Sequence, residues 1–419
     1  MSTPLRKLPS PRGIRLLKGP ARASGYEVAR IVWHLDAGAV SDGDRGVPLV
    51  ALEALLRSPV AGARRTTLAD RAEALGVRIE PGLTHLSCYC DVRGPRDSVR
   101  AIVPVLTASI GAAGITDEAA RAARVTVAAG IGERERSLAD HAQRALYSAF
   151  VGPDGWLGAH SAGTVESVAL IDRVRAESAA RDLASAPAIS VLFSDDVAGD
   201  LWCAELAGLV AATDQPGVLE SVNILRGQPS SRIERHLRGP RGSHLLWGCV
   251  TGVDGVADQV ALEIATHALG GTTTARWQRL FREQLRYTYG MTATCRIIRV
   301  GTREYGLVTL GTALIDADRA AVIELLDRQV RRLLADGLTP DECASSARQL
   351  LAAEPLGAVS ARIFVARAAQ PIQNGLDPAN AAQRLDCLAA ADPDDVNDRL
   401  GRLMETTVIA SVVGEVSST

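Results

Sequence analysis

No two of the seven histidines, at positions 34, 85, 141, 160, 236, 244 and 267, stand three or four residues apart. No single helix can therefore offer the paired imidazoles from which a helical zinc site is built. The seven cysteines are odd in number and include no C-x-x-C pair, which argues against a disulfide framework and fits a reducing compartment, so a cytoplasmic location is expected. A formal net charge of −2 gives no electrostatic reason for a nucleic-acid partner. No apolar run approaches the length of a membrane span, and Met1 to Pro20 lacks the continuous apolar core of a signal peptide; neither insertion nor secretion is expected. The first acidic residue is Glu27, and residues 1–13 read as a basic tail. Gly270-Gly271 is followed by neither G-x-x-x-x-G-K-[ST] nor G-x-G-x-x-G, which leaves nucleotide binding without support.

What is present is an ordinary globular composition, 47% hydrophobic and 22% charged over 419 residues, long enough for two domains. An internal repeat points the same way. Val32-Trp33 to Gly38 is echoed by Leu246-Trp247 to Gly252, an offset of 214. Val50-Ala51-Leu52-Glu53 recurs verbatim as Val260-Ala261-Leu262-Glu263, an offset of 210. Gly114-Ile115-Thr116-Asp117-Glu118 recurs as Gly337-Leu338-Thr339-Pro340-Asp341-Glu342. Three echoes in one order predict two homologous domains, residues 14–213 and 244–419, joined by a Pro-, Gly- and Arg-rich linker over 214–243.

Within the first half the periodicity alternates between strand and helix, as an α+β domain requires. An alternating β-branched run, Glu27 to Leu35, leads through a Gly/Asp turn at Asp42 to Gly46 into an apolar helix beginning near Pro48. Thr67 to Leu75 reads as a capped helix stopped by Gly76, Val77 to Val92 as a hairpin, and Thr116 with Asp117 and Glu118 as the start of a long helix. Ala188 to Phe193 and Thr407 to Val413 read as the closing strands of the two halves. Cys88 and Cys90 would share one face of a strand as reduced core residues.

The stretch His267 to Ala293, HALGGTTTARWQRLFREQLRYTYGMTA, resembles the second-half signature of the pitrilysin/insulinase family of zinc metallopeptidases, LGG-x-x-SSRLF-x-x-LRE-x-x-GLAY. Gly163-Thr164-Val165-Glu166-Ser167, following Trp156-Leu157-Gly158, resembles that family's first-half G-T-x-E-S segment. The resemblance implies two α/β-sandwich domains in tandem that form half of a clam-shell chamber, similar to mitochondrial-processing-peptidase-like proteins. It also implies that Arg282 and Tyr289, seven apart, donate to the carbonyl of the bond being cut, with Gly270, Gly271 and Arg276 on the substrate side. Both groups are hydrogen-bond donors, as oxyanion stabilisation demands. Tyr287, five from Arg282, does not match the spacing.

The family's H-x-x-E-H would fall near position 50, where the chain reads Val50-Ala51-Leu52-Glu53-Ala54. Both histidines are absent, and the family's third ligand falls near Ala129 or Gly130, with Glu133 one turn on. No metal is expected here. Glu53 would be a half-exposed helix residue with a cationic neighbour. The resemblance therefore implies a zinc-less subunit of a heterodimer. Its partner would be a homologous chain that carries H-x-x-E-H and the zinc, and its substrate an unfolded peptide such as a leader peptide. The rival readings are a structural scaffold, similar to the core subunits of the respiratory cytochrome bc complex, and a peptide-binding protein of the same fold.

Overall fold

The structure, a computed structural model, describes residues 6–8, 14–18, 25–35, 44–60, 63, 65–151, 155–186, 189–193, 205, 231–238, 242–314, 319–357, 360–378, 380–404 and 407–415. In chain order the first half gives β1 (Arg6–Leu8), β2 (Ile14–Lys18), β3 (Tyr26–His34), α1 (Val47–Arg57), α2 (Leu68–Ala74), β4 (Arg78–Leu83) and β5 (Ser87–Pro95). It continues with α3 (Arg96–Ala112), α4 (Asp117–Glu135), α5 (Leu138–Val151), α6 (Val165–Ala169), α7 (Arg173–Ala184) and β6 (Ile189–Phe193). The second half gives β7 (Ser231–Arg238), β8 (Gly242–Val253), α8 (Val256–Thr266), an irregular helical stretch over 267–284, β9 (Thr292–Val300) and β10 (Arg303–Leu314). It ends with α9 (Arg319–Asp336), α10 (Pro340–Gly357), α11 (Ala361–Gln373), α12 (Asn380–Ala389), α13 (Pro393–Leu403) and β11 (Thr407–Glu415). The fold is α+β, with two open sheets. Among the described residues no single helix is long and apolar enough to cross a membrane.

The chain divides into two compact units, Met1–Gly132 with His160–Glu220 and Pro355–Pro378, and Glu133–Ala159 with Ser221–Glu354 and Ala379–Thr419. In the first unit the strand order is β1-β2-β6-β3-β5-β4, in which only β2 and β6 run parallel. In the second it is β7-β11-β8-β10-β9, in which only β7 and β11 run parallel. Five strands thus repeat one topology. The echoed tryptophans, Trp33 on β3 and Trp247 on β8, are both fully buried.

The compact units do not follow the contiguous blocks 14–213 and 244–419. α5, from the first half of the sequence, packs on β8 and β11, and α11, from the second half, packs on β3. Val365, Ala369 and Ile372 of α11 cover Leu17, Val28 and Val32 on the face of the first sheet that α1 and α3 leave uncovered. An amphipathic helix must bury its apolar stripe, and sequence distance does not restrict which sheet receives it. Two further readings are corrected at the edges. Part of the supposed linker is strand β7, paired with β11 from Val408 opposite Ser231 to Glu415 opposite Arg238; residues 214–230 and 239–241 lie outside the described residues. Part of the supposed basic tail is β1, paired with β2, while residues 1–5 and 9–13 lie outside the described residues. Both are edge strands, where charged side chains are common and disguise the strand pattern.

Local chemistry explains the helix starts. Thr67 Oγ1 accepts from Asp70 N (3.1 Å) and Asp70 accepts from Thr67 N (2.9 Å), a capping box. The Gly163–Ser167 motif is a second one, with Thr164 accepting from Ser167 N (3.1 Å) and Ser167 Oγ from Thr164 N (2.9 Å). Gly46, which opens α1, has φ +82°, and a Cβ there would stand 2.3 Å from the Ala162 carbonyl oxygen. Only glycine serves at that close approach.

Candidate functional site

On α1 the two positions where the family carries histidine are hydrocarbon and fully enclosed. Val50 and Ala54 are both 0% exposed, inside the core of the first unit. Glu53 faces outward enough to meet Arg57, whose Nη1 donates to its carboxylate and to its carbonyl oxygen (2.8 Å). The other end of the guanidinium, Nη2, donates to Thr126 Oγ1 on α4 at 3.1 Å. A zinc ion needs imidazole, thiolate or carboxylate ligands converging on one point, and this helix offers one carboxylate already held by a cation. The residues do not fit the metal. Ala129, Gly130 and Glu133 on α4 are exposed, and the first two have no donor side chain.

The tie from α1 through Arg57 to α4 has a testable energy. Arg57→Ala is expected to destabilise the first unit by about 1–2 kcal/mol, because it leaves the half-buried Glu53 carboxylate unpaired. The double variant Glu53→Gln/Arg57→Met should recover most of that loss in thermal unfolding. A single variant as stable as the native chain would show that the tie contributes nothing.

The stretch 267–290 of the second unit is built differently. After α8 the backbone makes a wide helical turn over His267–Gly271, then a short helix, Arg276–Gln278, and a second wide turn over Arg279–Gln284. Such wide turns are uncommon and recur at functional sites. Gly270 is buried, and a Cβ on it would meet Leu310 at 2.9 Å and Ala293 at 3.0 Å, so the turn lies directly on β9 and β10. Trp277, Gln278 and Phe281 point inward and are buried, whereas Arg282 and Glu283 are exposed. Arg276 is held: its Nε donates to Glu342 (2.8 Å) and Nη2 to the Gly337 carbonyl (3.1 Å). Glu342 also accepts from Thr339 N (2.9 Å) at the start of α10. Burial raises the Glu342 pKa, and the bonds from Arg276 and Thr339 outweigh it, so the carboxyl stays below its ordinary value.

Tyr289 is 84% exposed, yet its neighbours are pinned. Thr288 is buried, and its hydroxyl bonds that of Thr312 on β10. Gly290 N donates to Thr288 Oγ1 (3.1 Å), and Thr312 Oγ1 donates to the Gly290 carbonyl (2.7 Å). Met291 N donates to Gln278 Oε1 at 2.8 Å. Arg286 takes a left-handed φ of +57°, which reverses the chain between the wide turn and this support. Among the described residues neither the Arg282 guanidinium nor the Tyr289 hydroxyl has a hydrogen-bond or ion-pair partner. An exposed phenol and guanidinium, carried on a buttressed segment and bonding nothing among the described residues, are available to another molecule. Tyr287, by contrast, is half-buried.

Nothing in the sequence pattern singles out Gln278, Thr288 or Thr312. Threonine and glutamine at such positions look like any polar loop residue, and only the pairing across β10 gives them a role.

Residues 222–350 match the family model described as the peptidase M16 inactive domain. The match spans 129 of the 419 residues. The match bears out the pitrilysin-family resemblance, and the fold agrees over the full length. The M16 inactive domain of Pseudomonas fluorescens superposes with a TM-score of 0.80 at 17% identity, covering 100% of this chain and 99% of that one. A chain of complex III2 from Candida albicans gives 0.75 at 12% identity, covering 98% and 96%. The periplasmic protease PqqL of Escherichia coli gives 0.73 at 13% identity, covering 99% of this chain but 46% of PqqL. Identities of this size speak for the fold alone. No curated protein matches the chain in sequence.

Proposed function

We propose that this M16-like chain is the zinc-less member of a paired peptidase, which meets an unfolded peptide together with a homologous chain carrying H-x-x-E-H. The observation that carries the proposal is the exposed Arg282 and Tyr289 on a buttressed segment, both without a partner among the described residues. In such a pair the partner supplies the metal-activated water. This chain's guanidinium and phenol both donate to the carbonyl oxygen of the scissile bond, where negative charge grows in the transition state. Donors held in place beforehand need no reorganisation at that moment, which is what the Thr288, Thr312 and Gln278 support provides. The coverage of PqqL is consistent with pairing, since this chain accounts for under half of the length of that protease's chain.

The chain purified alone is expected to hold no stoichiometric zinc and to cleave no peptide. Co-expressed with a homologous H-x-x-E-H chain, it should run in light scattering at the mass of two chains and cleave unfolded peptides. Two results would overturn the proposal. One is zinc near one per chain in the isolated protein, with activity that a chelator removes. The other is a mass that stays at one chain when the partner is present.

A further inference from the structure

A polar cleft of about 400 Å³ lies within the second unit, between the 267–284 stretch, α9 and α10. That volume is within the range of small-ligand sites, roughly 300–1,000 Å³. Three arginines and one glutamate line it. Arg276 and Glu342 neutralise each other, and burial pushes the His267 imidazole below its ordinary pKa, toward the neutral form. Arg279 from the wide turn and Arg332 from α9 remain, both exposed and, among the described residues, without an acidic partner. Two uncompensated guanidinium groups therefore border one cleft of a chain whose formal net charge is −2.

The other side chains narrow the choice of ligand. Gln284 and Gln329 line the same cleft, and neither side chain has a partner among the described residues. Each amide offers a donor and an acceptor. A phosphate group only accepts, so it would leave both glutamine oxygens unused. A peptide backbone donates and accepts in turn and would use both, while carboxylate side chains would meet the arginines in charge-assisted bonds.

We propose that this cleft binds an acidic segment of an extended peptide, with Arg279 and Arg332 each taking a carboxylate and Gln284 and Gln329 pairing with the peptide backbone. The inference names the substrate class for the proposed function and rests on its peptide-binding part. Cleavage does not enter it. Arg279 and Gln284 belong to the same turn as Arg282, so a segment anchored in the cleft is held beside that arginine.

The test uses the full chain alone, so a missing partner or absent cleavage cannot affect it. Fluorescence anisotropy compares a short, labelled, unstructured peptide bearing a Glu-Glu-Asp block with its Gln-Gln-Asn counterpart. The acidic peptide should bind about tenfold tighter, the scale of one to two charge-assisted pairs, and added salt should erode the difference. Arg279→Gln/Arg332→Gln should abolish the preference with unfolding temperature unchanged. Arg303→Gln/Arg348→Gln, which removes the same charge from exposed positions outside the cleft, should keep it. Equal binding of the two peptides, binding of neither, or a preference that survives in the Arg279/Arg332 variant would overturn the proposal. Displacement of the acidic peptide by inorganic phosphate below millimolar concentration would also overturn it and reassign the cleft to a phosphate ligand.

Discussion

Arg282→Ala and Tyr289→Phe are each expected to slow peptide turnover by the assembled pair about a hundredfold, the loss that follows removal of one oxyanion-hole donor. Neither side chain makes a bond within its own chain among the described residues, so neither substitution should disturb folding, partner association or the zinc content of the partner. The fall should appear in kcat and in kcat/KM alike, because the proposed bond is made to charge that exists only in the transition state. In the proposed role both groups serve one oxygen, and the double variant should then lose less than the product of the single losses. Tyr287→Phe is the internal control: this ring is half-buried and should be nearly silent. Equal effects at 287 and 289, or full activity in the double variant, would show that the motif is a relic and would favour a scaffold.

Trp277→Ala is expected to be the most damaging single substitution in the second unit, at about 3–5 kcal/mol. The indole is fully buried, and its ring meets that of Trp247 edge-on, with centroids 5.0 Å apart and planes at 79°. Removing it opens a cavity and deletes an aromatic pair whose own contribution is about 0.5–1.5 kcal/mol. Domain stabilities are commonly about 5–15 kcal/mol, so a large share of the unit's stability would go. The next residue, Gln278, holds Met291 N, and the loss should therefore reach the support of Tyr289. Urea unfolding followed by circular dichroism measures the effect, and Trp277→Phe should recover part of it. A midpoint unchanged in Trp277→Ala would show that the ring is not the keystone of this packing.

Much of the architecture was legible because its causes are local. Thr67 with Asp70 and Thr116 with its acidic first turn announce helices through bonds made within four residues. The alternation from Val77 to Val92 announces the β4–β5 hairpin, and Cys88 and Cys90 do share a buried face of β5. The edge strands β1 and β7 were not legible, since an edge takes polar and charged residues on both faces. Thr164 and Ser167 stand in the sequence as part of a family-like motif, and the structure gives them a physical meaning as a capping box.

The sequence by itself determined that α1 has no ligand set for zinc, since Val50 and Ala54 have no donor atoms, and that Arg282 and Tyr289 fall in one short segment. Tertiary structure alone decided that both side chains are exposed and unbonded while Arg276, from the same motif, is held by Glu342. It also decided that α5 and α11 each pack on the sheet formed by the other half of the chain. The physical reason is the same in each case. Spacing along a chain records which groups a local backbone can bring together, but burial and partnership depend on surfaces that distant segments supply only after they pack.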